Sequence, residues 1–419
     1  SNETGSGLSA AGSTSVNPYV TVGPAFQTPG YGWGTYLWGD STWGTARTVS
    51  DVVLDPGNWS LDNFGQILIA TIADGRTFTW DAGASGARSI RATVMSGAPT
   101  ASRLTLVSDR DRHLFHFGTE TTIGTPSTQD PMFIRFSNQE DYNTYTPTAT
   151  NTAGTFRLDA GNKIVGAISG KDYVFVLTDT AAYVIQFVGP PFTFSVRQVG
   201  TNCGLIGMNA AAEVDGAAYW MSENGFFKYS GNLETMTCLV EDYVYEDINT
   251  TSNELVYCGI NNLFGEITWF YPTSTSNANN RSVTYSYLDS TRERPIWFTN
   301  ANTLYQRSTW ADSAIFGLPH ATSFDVSGTS YDVVGNTEGA TTYYQHETGT
   351  DQVNVSATTT IASNIESGDF DLDAEGDGEF FIKIRRFIPD FKYINGNAKI
   401  TITTRDYPAQ TQGSSPLGP

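Results

Sequence analysis

Basic residues are scarce in this chain. Only 23 Lys and Arg stand against 43 Asp and Glu over 419 residues, a formal net charge of −20. That balance excludes a tight grip on a nucleic-acid backbone, which needs clustered positive charge. Charged residues of both signs make up only 16% of the sequence, against about a quarter in an average soluble domain. Exposed helices draw on Glu, Lys, Arg and Ala, so long helical bundles are disfavoured too. No stretch approaches about 18 uninterrupted apolar residues, so no membrane-crossing helix is expected. The start, SNETGSG, carries neither a basic nor an apolar leader, and the sequence reads as the ordered part of a longer protein.

The residues that carry most chemistry are equally sparse. Cys203, Cys238 and Cys258 are far apart and form no CxxC, so they read as small buried hydrophobes, not zinc ligands. Four histidines occur, His113, His116, His320 and His346. His113 and His116 lie three apart on an expected strand, face opposite sides and cannot chelate one ion. GxSxG, P-loop and GxGxxG motifs are absent, although counting leaves a Ser-His-Asp set open. The acidic run from Asp369 to Glu379 has Ala374 and Phe380 where a calcium loop needs Gly and Glu, and it reads as a solvated turn. Arg110, Arg112 and Arg135 read as dispersed turn and rim residues. No metal, cofactor or catalytic residue is expected.

What the chain does have is Gly (41 residues), Thr, Ser and Asn, with 13% aromatics and 39% hydrophobic residues, enough to bury a large core. From about residue 59 a grammar recurs without aligning: an apolar strand, an Asp/Asn/Gly turn, and a second strand ending in aromatics. It appears at 64–83, 103–118, 163–189, 209–231, 255–272 and 281–299, with turns at Asp74-Gly75, Asp215-Gly216 and Asn224-Gly225. Asp-Gly and Asn-Gly between alternating apolar residues are strong hairpin signals. Units starting roughly 40 to 60 residues apart suit propeller blades. The expectation is therefore an all-β chain, an irregular β-propeller of about six blades, with a β-sandwich as competitor.

Residues 1–58 read as an extended, aromatic and Gly-rich segment, 59–350 as the propeller, and 351–419 as strands of a platform domain or last blade, with a hairpin at Asn395-Gly396. A helical turn or two is expected within 239–250. Trp33, Trp38 and Trp43 are candidates for a subunit interface, or for packing on their own chain. Trp220, Phe226, Phe227 and Tyr229 are candidate blade-core residues. Asn202, Cys203 and Gly204 fall in a Gly200–Gly204 junction whose glycines are expected to supply a positive φ.

The order of several segments adds a resemblance. DPMFIRFSNQEDYNTYTPTATNTAGTFRL (130–158) is followed by the run from Thr178 to Gly231, then by CLVEDYVYEDIN (238–249), EITWFYPTSTS (266–276) and STWADSAIFGLP (308–319). This succession resembles the tail nozzle family (tail tubular protein B, or stabilisation protein) of short-tailed bacteriophages, or podoviruses. The resemblance implies a β-propeller with a platform β domain in a structural, non-enzymatic protein of the virion tail. It also implies a homo-hexamer that extends the portal–adaptor channel, closes it to retain packaged DNA and opens it for DNA ejection. The implied partners are the head-to-tail adaptor, a tail fibre or tailspike, the host cell surface, and double-stranded DNA in passage without specific binding. A propeller glycoside hydrolase would instead bring carboxylates and arginines together at one channel mouth. A carbohydrate-binding adhesin would repeat a shallow aromatic site in each blade.

Overall fold

A computed structural model of the chain describes residues 58–84, 92–276, 278–300, 307–331 and 337–349, with short pieces at 26–27, 55–56, 351–354, 357–360, 386, 388, 399–404 and 413–414. Trp33, Trp38, Trp43, the acidic run after Asp369 and the Asn395-Gly396 turn lie outside these residues. The chain divides into two units, Ser1–Thr348 and Gly349–Pro419.

The first unit is built from consecutive antiparallel meanders arranged in a ring of six blades, the architecture of a six-bladed β-propeller. Blade 1 comprises Trp59–Phe64, Ile67–Ile72, Thr77–Asp81 and Thr93–Val94; blade 2 comprises Leu104–Ser108, His113–Phe117, Phe133–Phe136 and Gly154–Arg157. Blade 3 comprises Ile164–Ser169, Val174–Thr178, Ala181–Gly189 and Thr193–Thr201. Blade 4 comprises Ala211–Val214, Ala217–Ser222, Gly225–Tyr229 and Leu233–Met236. Blade 5 comprises Tyr257–Asn261, Glu266–Tyr271, Arg281–Ser286 and Trp297–Asn300, and blade 6 comprises Thr309–Ala311, His320–Tyr331 and Thr337–Gln345. The first strand of each blade touches the first strand of the next, from blade 1 through blade 6, so these strands surround the propeller axis. Each first strand starts at one end of the axis, called here the entry end, and finishes at the other, the hairpin end.

Two readings of the sequence need correction. The units at 255–272 and 281–299 are the two halves of blade 5, and the sixth blade follows later, from Thr309. Each half has its own apolar strand pair, and the Asn-rich connection between them resembles an inter-blade loop in composition. The positive φ of the 200–204 junction falls on Asn202 (φ 54), not on its glycines. Gly204 is required for a different reason: a Cβ there would lie 1.9 Å from the Asp179 carbonyl oxygen.

Packing between blades explains the aromatic content. Trp220 and Trp269, on the second strands of blades 4 and 5, are fully buried. The Trp220 indole N–H donates to the Cys203 carbonyl at 2.8 Å, and that of Trp269 donates to Ala210 at 2.9 Å. Trp310, on the first strand of blade 6, donates to Ile260 of blade 5 at 2.7 Å. Each ring fills an inter-blade space while its one donor satisfies a carbonyl of the preceding blade or junction. Phe226 (buried), Phe227 and Tyr229 line the same core, with Phe226 against Trp269 at 5.0 Å and Phe227 stacked on Trp220 at 5.7 Å.

Blades 1 and 2 join by polar groups instead. Ser60 accepts the Thr105 N–H at 3.0 Å, Asp62 accepts the Val107 N–H at 2.7 Å, and the buried Thr71 hydroxyl bonds both Thr77 and Thr105. Side chains of one first strand thus serve the amides of the next, which no ladder reaches. Cys203 and Cys258 are buried, Cys238 is half-buried, and all three are free thiols. Burial pushes the Cys203 thiol up to about 11 and that of Cys238 to about 12, so neither is a ready nucleophile.

In the second unit, short antiparallel pairs form between Asp351–Asn354 and Ala357–Thr360 and between Thr403–Thr404 and Gly413–Ser414.

Candidate functional site

The two ends of the propeller axis differ in chemistry. At the entry end, residues just ahead of three first strands converge on Glu254, two on its carboxylate and one on its backbone carbonyl. Arg103 precedes blade 2, and its guanidinium lies 2.5 Å from Glu254 Oε1. Lys163 precedes blade 3 and reaches the same oxygen at 3.7 Å. Asn58 precedes blade 1 and donates to the Glu254 carbonyl at 3.4 Å. Glu254 itself precedes blade 5. Blades 2 and 5 stand opposite each other in a ring of six, so the Arg103–Glu254 pair spans the axis.

Glu254 is carried there by a short 3-10 segment, Thr250–Leu255. Asn249 caps it, accepting the Thr251 N–H at 3.0 Å and donating to Ser276 at 2.9 Å. Asn279 holds the far end, donating to the carbonyls of Leu255 at 2.8 Å and Arg307 at 2.9 Å. Gly207 makes the close approach sterically feasible, since a Cβ there would sit 2.3 Å from the Asn253 carbonyl oxygen. The expected helical turn lies just before, at Glu241–Tyr245, where Tyr245 donates its hydroxyl to Ser222 at 2.8 Å. The 3-10 segment had no sequence signal of its own: TTSNEL is turn composition, and its position depends on partners up to 196 residues away.

At the hairpin end, a polar cavity of about 490 Å³ opens between the first hairpins of blades 2 and 3. Arg110 bridges them, 2.8 Å from Asp172 and 3.9 Å from Asp111, and Ser108 donates to Asp111 at 3.3 Å. Glu213, on the first strand of blade 4, also faces this cavity and accepts the Gly216 N–H at 2.7 Å. Tyr173 lines it, its hydroxyl raised to about 12, first by burial and then by the Glu213 charge. The grouping can offer hydrogen bonds of both kinds to a hydroxyl-rich or cationic molecule.

His113 and His116 join neither group of charged residues. His116 is fully buried, with Nδ1 2.9 Å from the Ser102 hydroxyl and Nε2 3.0 Å from the Tyr145 hydroxyl. Its ring bonds to hydroxyls only, and the Ser-His-Asp arrangement left open by counting does not form around it. His113 bonds the Asp111 carbonyl at 2.7 Å and the Thr152 hydroxyl at 3.1 Å. Arg135 corrects the rim reading: it is only 6% exposed and donates to the carbonyls of Glu120 and Thr121. Among the described residues, no group of three or more His, Cys, Asp or Glu could hold a metal ion.

Burial of His116, reinforced by the Arg135 charge, holds its pKa down at about 3. The folded chain therefore keeps this imidazole neutral while the unfolded chain protonates it below about 6.5, so stability is lost as pH falls through that window. Urea titrations should show this loss between pH 6.5 and 4 at about 1.4 kcal/mol per pH unit from His116. A His116→Gln variant should lack that increment of slope; an unchanged slope would show that the ring is solvated in the native state.

The fold and axial geometry define the class: an all-β, six-bladed propeller with a polar cavity at one end and an ion pair across the axis at the other. No protein-family model and no curated protein matches the chain. Similar solved structures include the computationally designed protein Ika8 (9% identity, TM-score 0.40, covering 68% of this chain and 70% of that one). The CNH domain of AfRom2 is also similar (10% identity, TM-score 0.38, 64% and 78%). An ancestral GH74 enzyme is similar over 73% of this chain and 42% of that one, at 10% identity and a TM-score of 0.41.

Proposed function

We propose that the chain is a structural, non-enzymatic nozzle protein of a short-tailed bacteriophage virion. It would assemble as a homo-hexamer beneath the head-to-tail adaptor, retain packaged DNA, and help to anchor a tail fibre or tailspike. The observation that carries this reading is the ordered run of resembling segments. They fall in succession on blade 2 (130–158), blades 3 and 4 (178–231), the 4–5 junction (238–249), blade 5 (266–276) and blade 6 (308–319). The acid excess supports it, because a surface of net charge −20 repels phosphates and suits a conduit that passes DNA without holding it. The bridge from Arg103 to Glu254 supports it as well, since it favours a rigid block over a propeller whose axis admits a substrate. In this reading, loops at one propeller end form the constriction of the assembled channel.

Electron microscopy of the chain mixed with its tail adaptor tests the reading. Sixfold rings with an axial channel are the expected result. Monomers that ignore the adaptor would reject it, and a narrowest ring away from the propeller-end loops would reject the gate assignment.

A glycoside hydrolase is the second reading, favoured by the convergence of Arg110, Asp111, Asp172 and Glu213 on one mouth. It requires two carboxylates acting as acid and nucleophile or base. Turnover of a glycan panel that disappears in both Asp111→Asn and Glu213→Gln would establish it; no turnover by the unmodified chain would remove it.

A further inference from the structure

Blades 5 and 6 present exposed apolar side chains at the hairpin end. Leu263 and Phe264, in the first hairpin of blade 5, are 62% and 52% exposed. Leu288, 64% exposed, comes from the connection between the third and fourth strands of the same blade. The two turns are locked together: the Tyr287 N–H donates to the Gly265 carbonyl at 2.9 Å, and the Leu288 side chain occupies the space a Cβ on Gly265 would need. Ile315 and Phe316, in the first hairpin of blade 6, are 91% and 52% exposed. That hairpin is tied to its neighbour by the Asn262 N–H, which donates to Asp312 at 2.8 Å. Scattered single hydrophobics need no explanation, but five on three turns, two of them bonded to the same blade 5 hairpin, form a patch.

The charge around the patch identifies what fits it. Asp312 holds the hairpin junction, Glu347 accepts from Asn261 at 3.0 Å, and Glu266 begins the strand after Phe264. Burial, and then the charges of Glu347 and Asp289, raise the Glu266 carboxyl, which places both of those groups within electrostatic reach of Glu266. The 288–296 turn adds the exposed Arg292, Glu293 and Arg294, so these turns and their flanks carry five carboxylates (Glu266, Asp289, Glu293, Asp312 and Glu347) and two guanidinium groups. A two-fold copy of the same face would juxtapose like charges, which disfavours it. Anionic lipid and nucleic acid are disfavoured by the same sign.

We propose that this face docks a protein segment that sets leucine- or phenylalanine-type side chains among lysines and arginines. The apolar groups would anchor, and the carboxylates would set orientation and association rate. This inference does not depend on the nozzle reading.

The test uses the full chain and three fluorescein-labelled peptides: one with leucines and a phenylalanine among lysines, one with glutamates replacing the lysines, and an oligolysine of equal charge. The first should bind at least about tenfold more tightly than the other two. A Phe264→Ser/Ile315→Ser variant, checked for an unchanged melting curve, should lose about tenfold in affinity. Glu266→Gln/Asp289→Asn should weaken binding and flatten its salt dependence, while Phe192→Ser, at an exposed site on blade 3, should leave it unchanged. No binding of the lysine peptide, equal binding of oligolysine, or indifference to the Phe264/Ile315 change would overturn the proposal. So would self-association of the unmodified chain in sedimentation that this double variant abolishes, because the occupant would then be a second copy.

Discussion

Replacing Trp269 by alanine should lower the unfolding free energy of the propeller by about 4–5 kcal/mol, the upper part of the range for a large buried aromatic. The indole is fully enclosed, with Phe226 at 5.0 Å and Trp297 stacked at 6.2 Å. Its removal leaves a cavity at the junction of blades 4 and 5 that rigid strands cannot close. It also strands the Ala210 carbonyl, which otherwise accepts the indole N–H at 2.9 Å and would lose its partner in a dry site. A whole domain is stable by only about 5–15 kcal/mol, so this one change should remove a large share. Trp269→Phe separates the two effects: it keeps most of the contact area and loses the donor, and should cost roughly 1–2 kcal/mol more than burial alone accounts for. Urea unfolding followed by circular dichroism measures both variants. A loss below about 1 kcal/mol for the alanine variant would mean that the ring is not part of a packed inter-blade core.

Such junctions also mark how far the sequence could be read. Strand pairs were legible because Asp74-Gly75, Asp215-Gly216 and Asn224-Gly225 are local signals: Asp74, Asp215, Gly216 and Gly225 all take positive φ, and local chemistry suffices to form these turns. The ring was legible from the spacing of units. The assignment of strands to blades 5 and 6 was not, because each half of blade 5 looks like a unit and only pairing between Glu266–Tyr271 and Arg281–Ser286 joins them. The junctions were also hidden because they use no common residue. Blades 1 and 2 meet through Ser60, Asp62, Thr71 and Thr105, whereas blades 4 and 5 use tryptophans on their second strands and blade 6 uses one on its first. The entry-end contact was the least legible, since Arg103, Lys163 and Glu254 are far apart in sequence and each looks like an ordinary surface charge until the ring closes.

That contact leads to the second large effect, which is asymmetric. The side chains of Arg103 and Glu254 are only 16% and 14% exposed, and breaking a buried pair by removing one partner costs about 3–5 kcal/mol because a charge is left without compensation. Arg103 has a second acceptor, Asp74 at 3.0 Å, itself positioned by Gln129 at 2.9 Å. Glu254 has only the more solvated Lys163, at 3.7 Å and 52% exposed, and such an exposed pair contributes about 0–1 kcal/mol. Arg103→Ala should therefore cost about 3 kcal/mol or more, Glu254→Ala about half of that, and Lys163→Ala little. A joint Arg103→Met/Glu254→Met change should recover most of the loss, since desolvation of both charges disappears with their attraction. Hydrogen exchange gives a local readout: the amides of 250–255 should lose protection in Arg103→Ala before the blade strands do. If the four variants lie within about 0.5 kcal/mol of the unmodified chain, the scale of ordinary surface changes, the 3-10 segment is a solvated loop and the axis is not bridged. If the predicted order holds, one carboxylate ties three blades across the propeller and stiffens its entry end.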